Sequence, residues 1–342
     1  MKIAIAGAGI YGATAAIRLA EQGHQVHLFD PLGIMRAASG INQYRVHSGY
    51  HYPRSPETIT EVLEARNEFI ETFRAAIVRN SRHYYAIPKQ HSRTEPEVYE
   101  RLIAEYGLPL KRCRPDWLDY RFVDTCYEVD EQIYDPELLR NAVSERTAAA
   151  GVRFEQCAFH PEMRDGYDFI VWATYGMGES RNVFRHAKYQ VAEKILIELP
   201  AELHGIALVV VDGPFTGFDP YGASELSLFG SAKHTNHWST TDDDELVPQH
   251  YASRLNGKTF EPAPFTHFEA MRSDACRAVP AAAKAKYLGS RFVMRVVENS
   301  SEDRRILYVV DGKPGEIHIF SGKVVSAVKA ARLVCERIGN HA

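Results

Sequence analysis

Three glycines, Gly7, Gly9 and Gly12, stand in the segment Gly7-Ala8-Gly9-Ile10-Tyr11-Gly12, directly after the apolar run Lys2 to Ala6 and directly before a helical pattern that reaches Gln22. That spacing serves the binding of a dinucleotide pyrophosphate. The first glycine permits a tight turn, the second lets the main chain approach the phosphates, and the third lets the helix pack on the strand. Free N–H groups at the head of the helix, where Ile10 and Tyr11 stand, meet the anion together with the positive end of the helix dipole. A second apolar run, Gln25 to Phe29, ends at Asp30, 18 residues after Gly12. A carboxylate there accepts hydrogen bonds from both hydroxyls of an adenosine ribose and disfavours a 2′-phosphate. A bare G-x-G-x-x-G carries little weight, and a strand-turn-helix with glycines kept for packing is the plain structural alternative. Strand, helix, second strand and acid in one register give the motif its meaning.

Other chemistry-bearing groups are thinner. His234-Thr235-Asn236-His237 and the acidic run Asp242-Asp243-Asp244-Glu245 invite a metal, but two histidines without a third ligand at a fixed spacing do not make a site. No metal is expected, and His234 is retained as a polar group of the substrate lobe. No Ser-His-Asp or reactive-cysteine pattern stands out.

The elements that must position these groups follow from periodicity. The first helix places Ala13, Ala16, Ile17 and Ala20 on one face and stops at Gly23. A long irregular stretch, Pro31 to Ser55, is rich in Gly, Ser, His, Tyr and Arg, and compact domains seldom keep such a loop without a use for it. Ser55-Pro56 opens a helix with a buried stripe from Ile59 to Ile77, and Thr94-Glu95-Pro96-Glu97 reads as a capping box for another. Tyr167 to Trp172 forms a buried strand that runs into the small-residue turn Ala173-Thr174-Tyr175-Gly176. From about 187 to 300 the pattern favours an antiparallel sheet with one or two helices. Ile306 to Val310 and Ile317 to Phe320 read as strands, and Ser321-Gly322-Lys323 leads into a last helix. The fold class is α/β, with a Rossmann-like nucleotide domain in three pieces, residues 1–80, 125–186 and 301–342. An antiparallel α+β substrate domain takes 81–124 and 187–300.

With 342 residues the chain is long enough for two such lobes, and a formal charge of -4 gives no general reason to bind nucleic acid. No apolar run approaches the roughly 20 residues that cross a bilayer. Five scattered cysteines without a C-x-x-C argue against a disulfide framework and for a reducing, cytoplasmic compartment. A strand beginning at Lys2 leaves no room for a leader in front of it.

Taken together, the opening βαβ unit, Ser39-Gly40 followed by His47-Ser48-Gly49-Tyr50-His51-Tyr52, the Ala173-Thr174-Tyr175-Gly176 turn and the C-terminal strand-Gly-helix resemble the D-amino acid oxidase superfamily of FAD-dependent oxidoreductases. Members include glycine and sarcosine oxidases, D-amino acid dehydrogenases and L-2-hydroxyglutarate dehydrogenase. The seven-residue step from Gly40 to His47 is most similar to the last of these. The resemblance implies a glutathione-reductase type FAD domain. Gly7, Gly9, Gly12 and Asp30 would hold the ADP half, Ser39 and Gly40 would lie near the pyrophosphate, and Asn42 to Gly49 would run along the flavin. Thr174 and Gly176 would border the cofactor, and Gly322 and Lys323 would stand where the last helix points at the flavin C2 carbonyl.

It further implies hydride transfer to FAD from a carbon bearing nitrogen, or second oxygen, next to a carboxylate. Electrons would pass to oxygen or another acceptor. Arg295 would hold the carboxylate, with Arg305 as second choice, while His47 and Tyr50 are the remaining catalytic candidates. His47 would contact the flavin, act as a base, or pin the loop; Tyr50 and Tyr52 would share one face of an extended segment, with His51 on the other. The C-terminal turn departs from the several glycines usual in amino acid oxidases, which leaves the substrate open. A nicotinamide-dependent dehydrogenase and a flavin-binding subunit without turnover are the rival readings, and an oligomer is compatible with either.

Overall fold

The structure, a computed structural model, describes residues 1–242, 245–300, 304–320 and 322–340. Asp243 and Asp244 of the acidic run and Ser321 of the last turn lie outside the described residues.

Elements are numbered in chain order. The first sheet holds β1 (Lys2–Ala6), β2 (Gln25–Phe29), β9 (Arg153–Glu155), β10 (Phe169–Trp172), β17 (Tyr308–Asp311) and β18 (Glu316–Phe320), in the spatial order β17-β18-β10-β1-β2-β9. All neighbours are parallel except the β17–β18 pair. Sheets buried on both faces need continuously apolar strands, which is how β1 and β10 read. On this sheet lie α1 (Ile10–Glu21), α4 (Pro136–Ala149) and α7 (Ala327–Gly339), α1 packing against both of the others. Ala13, Ala16 and Ile17 of α1 are buried, as the periodicity predicts, and Ala20 is half-buried.

The second sheet is built from β5 (Arg82–Pro88), β6 (Leu110–Cys113), β7 (Val123–Val129), β11 (Ala187–Glu198), β12 (Ile206–Val210), β13 (Thr216–Pro220), β14 (Ser227–Ser231), β15 (Asn236–Thr240) and β16 (Lys286–Glu298). It is antiparallel except where β5 runs parallel to β12. β7 lies wholly in this sheet, so a lobe boundary at residue 125 would cut a strand; the chain returns to the first lobe at about residue 130. Cys113 and Cys126, far apart in sequence, face each other across β6 and β7 with their sulfurs 3.8 Å apart. A third, small sheet of β3 (Arg45–Val46), β8 (Gln132–Tyr134) and β4 (Ile77–Val78) braces the long loop. The remaining helices are α2 (Pro56–Thr72), α3 (Pro96–Glu105), α5 (Gln249–Ala252) and α6 (Phe268–Ala278).

Helix starts differ from expectation in two places. Ser55 turns its hydroxyl to Thr58 Oγ1 at 2.8 Å, and Thr94 turns its hydroxyl to Asp212, so neither caps its helix with a side chain. At Ser55 the partner is a hydroxyl three residues on in the same helix; at Thr94 it is a carboxylate from a distant part of the chain. Asp135 does cap α4, accepting from the N–H groups of Glu137 and Leu138.

Around the first turn the packing leaves no slack. A Cβ on Gly12 would stand 1.9 Å from the Gly7 carbonyl oxygen and 3.1 Å from the Ala173 methyl, and Gly7 itself has φ +99° with Ala173 O beside it. Gly12→Ala therefore must push α1 off β1. The expected outcome is a loss of stability of several kcal/mol, about the 1–3 or more of an overpacked core, with loss of bound dinucleotide, read by denaturant unfolding and by cofactor content after gel filtration. A wild-type unfolding midpoint in the variant would contradict this packing.

Candidate active site

The head of α1 has no local side-chain cap, because Gly9 occupies the N-cap position. Ser39, from the long loop, supplies one instead: its Oγ accepts the Ile10 N–H at 2.9 Å, and a Cβ on Gly9 would touch that oxygen at 3.0 Å. Gly40, next along, could not carry a side chain either, since a Cβ would meet the Met35 carbonyl oxygen at 2.1 Å. Asp30 stands at the end of β2 with its carboxylate accepting from the N–H groups of Ala8, Leu32 and Gly33. Tyr11 donates its hydroxyl to the Lys323 carbonyl, which ties the first helix to the segment before the last. Gly7, Gly9, Ile10, Tyr11, Gly12, Asp30, Ser39, Gly40 and Lys323 are thereby gathered around one turn.

The loop that follows is pinned by a buried charge network invisible in the sequence. Arg45, 5% exposed, reaches Glu131 Oε2 at 2.7 Å and also pairs with Asp219 of β13. Glu131 further accepts the Ser48 N–H at 2.9 Å and the Tyr85 hydroxyl at 2.8 Å. Burial alone would raise the Glu131 carboxyl; the His47 ring, 3.7 Å away, and the charge of Arg45 reverse this and hold it well below the usual range. His47 goes the other way, since burial and then the Lys323 charge depress it to about 4 against the pull of Glu131, so the imidazole is neutral. Asn42 is spent on the loop itself: its amide donates to the carbonyls of Ala38 and Ser39, and its Oδ1 accepts from Tyr44 N–H and Tyr134 OH.

Above this loop lies a cavity of about 550 Å³ lined by His47, His51, Tyr52, Lys194, Arg295, Arg305 and Lys323 among others. Arg295 projects from β16 and donates through Nε and an Nη to Gln190 Oε1, at 3.0 and 2.7 Å. Lys323 Nζ is 3.3 Å from His47 Nε2 and 4.2 Å from the centre of the Tyr52 ring, and burial followed by the Arg45 charge lowers it to about 7. Arg305 is placed by its N–H on Thr58 Oγ1 and by the neighbouring Leu307 N–H on Glu61. Gly322 packs against it, a Cβ there meeting Arg305 Cδ at 2.7 Å. Thr174 donates to the Met177 carbonyl at 2.6 Å, and Gly176, at φ +72°, lies under Phe320 and accepts from the Tyr189 hydroxyl.

Two of the expected positions fall elsewhere. Tyr50 is fully buried away from the cavity, its hydroxyl on the Pro109 carbonyl at 2.8 Å. The segment 48–54 is a series of turns, not extended, so His51 and Tyr52 line the cavity together while Tyr50 packs beside Tyr85. His234 is not among the lining residues; its carbonyl accepts from His267 Nδ1. On the far face of β11, His237 Nε2 sits 2.7 Å from Glu193 Oε2. Candidate ligand atoms of Glu193, His237 and His267 come within 4.8 Å of one another. The two imidazoles are stacked at 3.9 Å and 4°, so their lone pairs run parallel and do not converge, and Glu193 is filled by His237, Ser290 and the His267 N–H.

Of the residues that sequence reading passed over, Lys194 and Asp219 carry a signal, a charge inside a run otherwise rich in apolar residues, plainest for Glu193-Lys194 within Val191 to Leu196; Arg45 and Glu131 stand in polar sequence and carry none.

A parallel sheet with a glycine turn against its first helix, a second sheet roofing a polar cavity, and a last helix returning to that turn define a dinucleotide-dependent oxidoreductase. The profile of the DAO family, FAD dependent oxidoreductases, matches residues 2–171, and the chain belongs to this D-amino acid oxidase superfamily. Among curated proteins it is similar to the FAD-dependent monooxygenase FPY4 of Fusarium mangiferae, 26% identical over 249 residues, 68% of this chain and 64% of that protein. It is also similar to the FAD-dependent monooxygenase kojA of Aspergillus flavus, 28% identical over 158 residues, 44% of this chain and 37% of that one. The chain thus spans less than two thirds of the length of these relatives. Its fold matches glycine oxidase from Bacillus cereus with a TM-score of 0.72 at 15% identity, covering 100% of this chain and 95% of that one. L-amino acid deaminase from Proteus vulgaris matches with a TM-score of 0.68 at 15% identity, over 98% and 92% of the two chains.

FAD is the cofactor of this family, which displaces the nicotinamide reading. The residues fit it: side chains are excluded at Gly7, Gly9 and Gly12 where a diphosphate approaches, and the buried Tyr52 hydroxyl and Gln43 Oε1 have no hydrogen-bond partner among the described residues. No helix of the described residues is long and apolar enough to cross a membrane.

The histidines under the cavity give a pH dependence with a definite sign. Burial depresses His47 to about 4 and His83 to about 3, each from 6.5, so the unfolded chain binds protons that the folded chain refuses. Stability is complete above about pH 6.5 and falls as the pH drops toward 4, by up to about 1.4 kcal/mol per pH unit for each histidine. Denaturant midpoints between pH 7 and 5 should decline less steeply in His83→Gln than in the wild type. Equal slopes would show that His83 is protonated in the folded protein.

Proposed function

We propose that this FAD-dependent oxidoreductase dehydrogenates a small acid at a carbon bearing nitrogen, or second oxygen, adjacent to the carboxylate, and passes the electrons to oxygen or another acceptor. The observation that carries the reading is Arg295: a guanidinium fork, oriented by Gln190, lining the same cavity as His47, Tyr52 and Lys323. A planar fork is the natural partner of a carboxylate and fixes its orientation as well as its position. Gln190 keeps that fork from swinging. Neutral His47, backed by Glu131, offers a hydrogen bond without a competing charge, and the low dielectric around Lys323 strengthens its attraction for negative charge. Bound FAD supplies the two-electron acceptor for the hydride. The first and third sheets would form the FAD lobe and the second sheet the substrate lobe. Unpaired cysteines fit a cytoplasmic location.

The names of the curated relatives raise monooxygenation as the second reading. Anaerobic bleaching separates the two. Purified yellow protein reduced by an amino or hydroxy acid, without a nicotinamide nucleotide, supports dehydrogenation; reduction by NADPH alone supports monooxygenation. Protein that neither bleaches would be a flavin-binding subunit without turnover. Arg295→Met should leave the flavin bound and weaken acid substrates by roughly 2–5 kcal/mol, read as the substrate concentration that half-saturates flavin reduction. An unchanged value would remove Arg295 from the carboxylate site.

A further inference from the structure

Lys194 is the cavity residue that the proposed reaction leaves unused. It sits on β11, in the middle of a largely buried strand, and is 7% exposed, yet it lines the cavity. Its ammonium has no hydrogen bond or ion pair with another described residue. Burying an amine that deeply without a partner is costly, and the cost persists only if something from outside completes the site.

The surroundings show what that is. Gln190, Ala192 and Lys194 share one face of β11, and in the paired strand Gln190 stands opposite Arg295 and Lys194 opposite Arg291. Arg291 is spent on the carbonyls of Gly257 and Gly40, so it offers Lys194 nothing but like charge. Gln190 and Lys194 are four residues apart, about 13 Å along a strand. Beside Lys194 the cavity lining is made of small residues: Gly217 and Gly230 pair across β13 and β14, with Gln43 packed on Gly230, and Ser231, Ala232 and Thr235 continue it. A Cβ at Gly230 would strike Gln43 Nε2 at 2.4 Å, and Gln43 Oε1 is buried without a partner. Of the described lining residues seven are Lys or Arg and two are Asp, and those two acids are engaged by Arg45 and Arg54. Asp219 attracts Lys194 through space, but its carboxylate is already paired with Arg45. Burial, and then the Arg295 charge, lower the amine to about 7 against the pull of Asp219, so an added anion would favour its charged form.

We propose that Lys194 and the trough beside it form a second anion subsite, so that the natural substrate is a small acid carrying two anionic groups, one carboxylate on Arg295 and a further carboxylate or phosphoryl group on Lys194. This rests on the reading of Arg295 given above and extends it to the far end of the ligand. A doubly anionic ligand neutralises the buried Lys194 and the half-buried Arg295 at once, and a monoanion leaves one of them without a counter-charge.

Unreactive acids report on this without turnover, because ligands over the ring shift the absorption bands of bound flavin. The holoprotein is titrated, at one pH on the acid side of neutrality, with propionate, with succinate and glutarate, and with 3-phosphonopropionate. Succinate, glutarate or the phosphonate should bind about tenfold or more tighter than propionate. The arm that gains most tells a carboxylate from a phosphoryl substrate. Lys194→Met, which removes a buried charge and keeps the volume, should lose that preference and bind propionate as before, while Lys194→Arg should retain it. Arg295→Met should weaken every acid. The subsite fails if dianions gain nothing over propionate, or if Lys194→Met keeps the preference. It fails equally if Lys194→Met leaves all affinities unchanged and alters only the rate of flavin reduction, for Lys194 would then move a proton instead. If propionate perturbs the wild-type spectrum and not that of Arg295→Met, the reading of Arg295 survives a failure of Lys194. If no acid perturbs it, both fall.

Discussion

Arg45 is the residue on which the site depends. Its guanidinium lies between two carboxylates that come from opposite lobes, Glu131 beside the small bracing sheet and Asp219 on β13 of the second sheet. Bringing three charges out of water is expensive, and the arrangement holds only because each has its partner; removing one partner of such a pair typically costs about 3–5 kcal/mol. In return the long loop has one position. Arg45 and Val46 are fixed as a strand, Ser48 is drawn in through its N–H, and His47 is left facing the cavity with its ring backed by Glu131. A merely apolar anchor would bury the loop equally well without deciding which way His47 points.

A second set of contacts closes the molecule around the dinucleotide turn. Glu61 of α2 accepts from the Leu307 N–H and from the Ser326 hydroxyl at 2.6 Å, so both sides of β17 and β18 are nailed to a helix that follows the long loop directly. With Tyr11 bonded to the Lys323 carbonyl, the first helix is tied to the segment that leads into the last. The lobes are also joined over the cavity floor: Arg291 reaches the Gly40 carbonyl, and Ala38 and Ile41 rest on Ala192 and Val293.

The parts of this that could be read in the chain were the local ones. Gly7, Gly9, Gly12 and Asp30 lie within one βαβ unit, and their geometry is set by strand and helix periods that a sequence displays directly. Resemblance singled out Arg295, which the structure places on the cavity wall. The network of Arg45, Glu131 and Asp219 was not, because its members are separated by 86 and 88 residues and pair only after two sheets have met. Tyr50 was misplaced for a related reason: alternation along an assumed strand put it beside Tyr52, whereas Gly49, at φ +101°, turns the chain and sends the Tyr50 ring into the packing beneath. The cap at Thr94 failed because distant Asp212 claimed its hydroxyl, and the one at Ser55 because the Thr58 hydroxyl beside it did.

The clasp between Tyr11 and Lys323 has a bearing on how the protein is made. Synthesis proceeds from the N-terminus at roughly 5–20 residues per second, so the glycine turn exists long before the segment that completes its far wall. Until that segment has been added the turn lacks the wall that Lys323 supplies. The clasp between first helix and closing segment is therefore among the last contacts that the emerging chain can make.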